Sequence, residues 1–533
     1  MAKAGKKARK TSTARTVKRT AKKTARAPSR GAASAAVGGT SGPAANAEVK
    51  AATAAGGPPV RVRMYRHGLG DCFLVGLPGR EGSFNVMIDC GVIGAKTFSE
   101  TDVVTDILKE TRDEIDLLVV THEHEDHVSG FRVAQPLMQG KVKRVWMGWT
   151  EDPEDALATR LQAERNARKK TLHMLMDKLA SENRPLANGV AGILGFFAVD
   201  AASDVNNNRT RQGLDAARNF VPRKDLRYCR PKDAPVSFPE APDFRFYVLG
   251  PPVDEAAIRR TDVKSERYPR LALSGQLNMD AFAAAAAELL DVAAEPGATN
   301  PDRYCPFDAV HRLPIPAVES GALGLDGGGP ARSRSGASAL DRYFDLRYFG
   351  NAPVYDGQGA DQKWRRIDGD WLMAASDFAL QLDRFTNNTS LALAIEHIPS
   401  GRVLLFAADA QVGNWLSWQD LSWTVGDNTV RGPDLLKRTV FYKVGHHGSE
   451  NATLSTKGLE EMVSKDLVAF IPVFETTAKA RNWNFMPLPR IMDELTKRTG
   501  GRTVRADQPF TQMSGFNLVN GPGDLYYEYL LPP

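Results

Sequence analysis

The segment VVTHEHEDHVSG, residues 119–130, places three histidines and three acids in six consecutive positions directly after an apolar run. The whole chain of 533 residues has nine histidines, so a third of them lie here. Side chains two apart on an extended segment face the same way, which lets His122 and His124 hold one metal ion. Asp126 and His127 then fall on the following turn and point toward a second ion. Imidazole and carboxylate ligands favour zinc, with manganese or iron as alternatives.

Glu123 and Glu125 alternate with these ligands. We expect them on the other face of the extended segment, where they face solvent or support the ligands. Asp126 is therefore the one carboxylate of the segment that is expected to coordinate an ion directly.

Short strands and helices surround the segment. Apolar or alternating runs predict early strands at 60–66, 72–77, 84–89 and 115–120. The apolar spacing at 102–115 predicts a helix, and 151–240 is mostly helical and polar in character. Strands are predicted again at 243–252, 390–398, 402–410 and 439–445. This order indicates an α/β (α+β) chain, and no internal repeat is visible.

Residues 1–58 differ in composition from the rest. They are mostly Ala, Lys, Arg, Thr, Ser and Gly without any aromatic residue, so we expect disorder. Residues 1–30 hold twelve of the 69 Lys and Arg and no acid, which leaves 57 basic against 63 acidic side chains elsewhere. This tail can bind nucleic acid through phosphate contacts; a solubility tail and a mitochondrial transit peptide are the alternatives.

Other sequence features bear on location. No apolar run reaches the roughly 20 residues that span a bilayer, and no secretory signal is visible, so we expect a cytoplasmic protein without a membrane partner.

The four cysteines show no CxxC pairing, which argues against a thiolate zinc site and against disulfides. They are Cys72, Cys90, Cys229 and Cys305.

The pattern His-x-His-x-Asp-His after an apolar strand resembles the signature of the metallo-β-lactamase superfamily of metallo-hydrolases. Further motifs resemble the branch that includes the hydrolase domain of the DNA-uptake competence protein. They are HGLGDCFLV (67–75), VMIDCG (86–91), LLFAADA (404–410) and GHHGSENAT (445–453). The resemblance implies a four-layer αββα sandwich built from 59–252 and 386–533, interrupted by an insertion at 253–385.

The resemblance also implies roles for five further residues. Asp409 would bridge two ions, and His447, or alternatively His446, would complete the second site. The other histidine would lie beside a scissile phosphoryl group as acid or anion stabiliser. Asp89 and Asp71 would accept hydrogen bonds from ligand histidines. The implied metal ligands are His122, His124, Asp126, His127, Asp409 and His447, and the catalytic candidates are His446, Asp126 and Asp71.

The chain departs from the family pattern at three places. Gly250 stands where a further histidine of the first site is usual, AADA replaces Thr-Gly-Asp-Ala, and the stretch 484–495 lacks the family's histidine. We therefore expect one or two zinc ions, with the first held weakly or the site working with a single ion.

The resemblance implies a metal-dependent phosphodiesterase or nuclease that uses a metal-bridged hydroxide. Two alternatives stay open at this point. One is a lactonase, thioesterase or lactamase of the same superfamily. The other is an effector or scaffold module in a multi-protein defence system, with a protein partner bound through the insertion 253–385.

Overall fold

The computed structural model describes residues 57–198, 208–260, 263 and 374–532, except 183, 482 and 484. These residues form a mixed α/β fold with two large sheets, so the expected class is confirmed at this level. The tail 1–58, apart from its last two residues, and most of the insertion 253–385 lie outside the described residues.

One sheet has eight strands. In spatial order they are β18 (Leu518–Asn520), β19 (Tyr526–Leu531), β1 (Val60–Tyr65), β3 (Phe73–Gly79), β4 (Gly82–Ile88), β6 (Leu117–Val120), β7 (Val145–Gly148) and β8 (Leu226–Cys229). The pairs from β18 to β4 are antiparallel and those from β4 to β8 are parallel. All four residues of β6 are buried, as its LLVV sequence favours for a central parallel strand.

The second sheet has seven strands. In spatial order they are β17 (Thr503–Arg505), β16 (Val468–Ile471), β15 (Thr439–Lys443), β12 (Arg402–Phe406), β11 (Leu393–His397), β10 (Ala241–Val248) and β9 (Val236–Phe238). The strands from β9 to β12 pair antiparallel, and those from β12 to β17 pair parallel. Two small ribbons pair β2 (Gly68–Leu69) with β5 (Ile93–Lys96) and β13 (Ser422–Val425) with β14 (Asn428–Arg431).

The two sheets share a connection pattern. In each, three antiparallel strands, β1-β3-β4 or β10-β11-β12, are followed by three strands that continue in parallel. The sequence shows no matching repeat, so the two halves share an order of strands but not an amino-acid pattern. In each half, loops follow the carboxyl ends of the strands that pair in parallel.

The described helices are α1 (Glu100–Thr111), α2 (Glu125–Val133), α3 (Gln135–Met138), α4 (Ala156–Glu182), α5 (Arg184–Leu194), α6 (Arg209–Arg218), α7 (Glu255–Arg259), α8 (Ala374–Asn387), α9 (Val412–Ser417), α10 (Gly432–Lys437), α11 (Glu475–Ala480) and α12 (Pro489–Thr499). Local sequence fixes several ends. A capping box of Ser99 and Asp102 begins α1, and Gly500 in the left-handed region ends α12. No described helix is both long and apolar enough for a membrane crossing.

Apolar side chains form three main clusters. One joins the two sheets, with ring contacts such as Phe73 to Phe406 and Phe84 to Phe246. Another lies between the eight-stranded sheet and α1, α2, α3 and α6. The third lies between the seven-stranded sheet and α4, α5 and α8 to α12. The predicted boundary at residue 385 falls inside α8, whose apolar side belongs to this third cluster.

Candidate metal centre

Four strand ends meet at one place in the molecule. Asp89 follows β4 and His122 follows β6, while Asp409 follows β12 and the pair His446-His447 follows β15. The residues that turn away from these strands are held in unusual backbone conformations. Asp89, Ala408, His446 and His447 all have φ between 41° and 56°. Such strain concentrates at functional sites, at about 1–3 kcal/mol per residue.

The first group of donor atoms comes from His122, His124 and Asp409. One ligand atom of each lies within 4.8 Å of those of the other two, and all three side chains are buried. His122 Nε2 is 3.0 Å from His124 Nδ1 and 4.0 Å from Asp409 Oδ2. These are the two histidines that alternate on the extended segment before α2.

The second group comes from Asp126, His127, Asp409 and His447. Their donor atoms also lie within 4.8 Å of one another. His447 Nε2 is 2.8 Å from Asp126 Oδ2, and His127 Nε2 is 3.1 Å from Asp409 Oδ2. Asp409 belongs to both groups. The structure therefore brings together all six residues that the sequence suggested as ligands, in two groups that share one carboxylate.

Asp126 Oδ1 is buried and has no hydrogen-bond partner among the described residues, and His127 Nε2 and Asp409 Oδ2 face each other at 3.1 Å without hydrogen-bond geometry. A buried polar atom without a partner costs about 1–3 kcal/mol, and more when it is charged. Nitrogen and carboxylate oxygen at this spacing are donors that suit zinc, manganese or iron. The residues present thus fit two bound cations.

Asp89 orients His127, as expected. His127 Nδ1 is 2.8 Å from Asp89 Oδ2, and the Thr121 amide and hydroxyl donate to the same carboxylate. Burial raises the pKa of Asp89, and His127 opposes that rise. Because Nδ1 of His127 is engaged by Asp89, its Nε2 is the nitrogen that faces Asp409.

Asp71 does not play the expected part, which corrects the sequence interpretation. Its oxygens lie 3.8 Å from His127 Nδ1 and 3.7 Å from His447 Nδ1, too far for hydrogen bonds. His447 Nδ1 instead donates to the Pro472 carbonyl at 2.7 Å. The partner of Asp71 is Lys443, with which it forms a close ion pair.

Lys443 is a buried cation that the sequence interpretation missed. Its Nζ also lies 3.3 Å from Asp409 Oδ1 and donates to the Ala408 carbonyl at 2.9 Å. Burial favours a lower pKa for Lys443, but Asp71 and Asp409 raise it well above its usual range. The available signal was a lysine that ends the otherwise apolar strand TVFYK.

The two adjacent histidines face different surroundings. His447 contacts Asp126, whereas His446 Nδ1 lies 2.9 Å from the Ser449 hydroxyl and its Nε2 lies 3.9 Å from Asp409 Oδ2. Burial lowers the pKa of His446 to about 4, so its imidazole is neutral near pH 7. These distances favour His447 as the ligand, and His446 lines a neighbouring cavity.

Glu123 is buried, which excludes the solvent-facing one of its two expected positions. Helix α4 covers this face of the segment, where Lys169 lies 2.9 Å and Arg165 lies 3.7 Å from the Glu123 carboxylate. Although burial favours the neutral acid, these two cations lower the pKa of Glu123 to about 2. Glu125 is also largely buried and lies 3.4 Å from Arg209.

A second residue missed from sequence is Asp383, on α8. Its Oδ1 lies 4.0 Å from His124 Nε2, and both atoms are buried without a hydrogen-bond partner among the described residues. Burial raises the pKa of Asp383 to about 8. Its sequence surroundings carry no motif, and it falls within the predicted insertion 253–385, so nothing in the sequence links it to His124.

The resemblance would place a further histidine at Gly250, and the structure leaves no room for one. A Cβ atom at Gly250 would lie 2.1 Å from Asn414 Oδ1. The Asn414 amide is fixed by donating to the carbonyls of Asn388 and Ser390. A side chain at 250 therefore has no room, and the donor atoms of the first group come from three residues.

Two glycine turns hold the start of α2 in place. The Asp71 amide donates to the Asp126 carbonyl and the Cys90 amide donates to the His127 carbonyl, each at 2.9 Å. A Cβ at Gly91 would lie 2.3 Å from backbone atoms of both Asp126 and His127. The motifs HGLGD and IDCG thus position the ligand backbone by close contact that a larger residue would prevent.

No protein-family model matches this chain, and no curated protein sequence matches it either.

Proposed function

We propose that the protein is a metal-dependent hydrolase of phosphate esters, a phosphodiesterase or nuclease. The observation that carries the proposal is the carboxylate of Asp409, which is shared by two groups of buried nitrogen and oxygen donors. A shared carboxylate holds two cations close together. Such pairs suit the in-line displacement of phosphate esters because they stabilise both the attacking and the leaving oxygen.

The protein's own residues would divide the work. Asp126, His127 and His447 would hold one cation, His122 and His124 the other, and Asp409 both. When bound, the cations would supply positive charge and lower the pKa of a water molecule. His446 is neutral, and its Nε2 has no hydrogen-bond partner among the residues that the structure describes, so it is available to donate or accept a proton at the substrate. Lys443 neutralises part of the carboxylate charge by pairing with Asp71 and with Oδ1 of Asp409, which leaves Asp409 Oδ2 facing His122 and His127.

The arrangement of sheets and helices supports the finer proposal of a four-layer αββα sandwich of the metallo-β-lactamase type. The repeated strand pattern, the cluster between the sheets and the helix-covered outer faces are the features that agree with it. Zinc is the proposed metal, with manganese or iron as substitutes. Nucleic acid bound by the basic tail, and a protein bound by the insertion, are proposed partners.

A substrate panel tests the proposal. Protein loaded with zinc, manganese or iron is assayed on bis-p-nitrophenyl phosphate, single- and double-stranded nucleic acids, cyclic nucleotides and a lactone. We expect metal-dependent cleavage of at least one phosphate ester and loss of that cleavage in Asp409→Ala. Turnover of the lactone alone would instead indicate hydrolysis of a carbon ester and overturn the phosphodiesterase assignment.

A further inference from the structure

A cavity of about 300 Å³ opens beside the metal-ligand groups. His446 forms part of its wall, so a molecule in the cavity lies next to the candidate centre. Much of the remaining wall is apolar, including Ile193, Phe196, Leu380 and Met486. A cavity of this size and character accepts the organic part of a small substrate.

Arg481 is the unusual residue of this wall. It is partly buried, yet its guanidinium makes no hydrogen bond or ion pair with any described residue, and it lies 5.6 Å from the centroid of the Trp483 ring. Burial lowers the pKa of Arg481, with Asp126 opposing the shift. Other buried arginines have carboxylate partners: Arg63 pairs with Glu528 at 3.0 Å. An arginine without such a partner at a cavity wall is suited to an external anion.

The short turn Gly195–Phe197 lies between this guanidinium and His124 of the first donor group. A Cβ at Gly195 would lie 2.5 Å from an Arg481 terminal nitrogen, so the glycine leaves space for the side chain. The next residue, Phe196, stacks on Trp483 with ring centroids 4.3 Å apart and lies 5.3 Å from the His124 ring. A continuous set of contacts therefore joins Arg481 to a candidate metal ligand.

The acids of the cavity do not neutralise Arg481. Asp383 directs one oxygen to the Asn387 amide at 3.2 Å and the other toward His124. Glu450 is the other acid of the wall, and among the described residues no ion pair joins it to Arg481. The charge of Arg481 thus remains available to a ligand.

We propose that Arg481 binds a non-bridging phosphoryl oxygen of an anionic phosphate ester whose organic group occupies the cavity. This assignment rests on the proposed phosphate-ester hydrolase function and names the anion-binding residue of that site. The planar guanidinium presents paired N–H donors, which match two oxygens of one phosphoryl group. The substrate class is accordingly a monoanionic diester with a small apolar or aromatic substituent.

Inorganic phosphate is the probe that tests the role of Arg481. Calorimetric titration of metal-loaded protein should give a phosphate Kd at least about tenfold weaker in Arg481→Met, because a charged hydrogen bond is lost. Arg490→Met is the matched control, since Arg490 is exposed on α12, and its Kd should equal that of the native chain. With bis-p-nitrophenyl phosphate, Arg481→Met should raise KM more than it lowers kcat.

A second variant covers the case in which Arg481→Met fails to fold. Gly195→Ala leaves the arginine in the chain but displaces its guanidinium, and it should also weaken phosphate binding. Metal content and melting temperature are measured for every variant. Native phosphate affinity in Arg481→Met with full metal content would overturn the assignment. If the native chain cleaves no phosphate ester, the proposed function fails, yet the phosphate titration still decides whether Arg481 binds the anion.

Discussion

At the scale of single residues, the central distinction is between carboxylates that face the donor groups and carboxylates that face away. Asp126 lies 2.8 Å from His447 Nε2, and its other oxygen has no hydrogen-bond partner in the described part of the chain, whereas Glu123 is bound by Lys169. Both carboxylates are buried, so exposure does not distinguish them. They differ in their partners, which are a histidine of the donor group for Asp126 and a lysine of α4 for Glu123.

Asp126→Ala should remove one bound ion and lower hydrolysis by roughly 10³-fold, because a cation supplies several kcal/mol of charge stabilisation. Metal analysis and initial rates check this, with the exposed Asp113→Ala as control. Full metal content together with full activity in Asp126→Ala would show that the second group is not a metal site.

Glu123→Ala should act through stability, because it leaves Lys169 as a buried charge that lacks its carboxylate. Breaking such a pair costs about 3–5 kcal/mol of unfolding free energy. Denaturant unfolding measures the loss. A sequence interpretation that puts Glu123 in solvent predicts almost no change, so an unchanged midpoint would contradict the structural account.

The adjacent histidines should separate metal binding from turnover. His447→Ala should lower metal content, since its Nε2 faces Asp126. His446→Ala should keep the metal and slow hydrolysis by roughly 10²–10⁴-fold, the range for a lost general acid or base. Equal metal loss in both variants would remove the distinction between ligand and proton carrier.

At the scale of elements, the sequence predicted the strands better than the contacts between them. β1, β4, β6, β11 and β15 occur near the runs that suggested them, because alternating or continuous apolar patterns report burial directly. The six ligand candidates also follow from motifs at strand ends. Lys443, Asp383 and the burial of Glu123 could not be predicted in this way, since each depends on a helix or loop distant in sequence.

The Gly91 turn offers a test at this scale. Gly91→Ala should displace the start of α2, because the added methyl group would lie 2.3 Å from backbone atoms of Asp126 and His127. We expect a loss of about 1–3 kcal/mol in stability, together with weaker metal binding. Thermal unfolding and metal titration measure both effects. Gly57→Ala, where a Cβ meets open space, is the control, and a Gly91→Ala protein as stable as that control would refute the close packing.

At the scale of the whole molecule, the basic tail and the folded part should be separable. Strand β1 begins at Val60, so deletion of residues 1–58 keeps every described strand and helix. The deletion should leave the melting temperature and the hydrolysis of bis-p-nitrophenyl phosphate unchanged, while nucleic-acid affinity falls and loses its salt dependence. Binding titrations at several salt concentrations compare the two proteins. An unchanged affinity and salt slope would show that the tail makes no phosphate contact.

The most direct test of the account is the number of metal ions per chain, because everything proposed for the site depends on two donor groups that share Asp409. Elemental analysis of protein supplied with zinc, manganese or iron should find two ions per chain in the native protein. Asp409→Ala should bind fewer than one, since the shared carboxylate belongs to both groups. A native chain that binds none of these metals, or an Asp409→Ala protein that keeps two, would contradict the account.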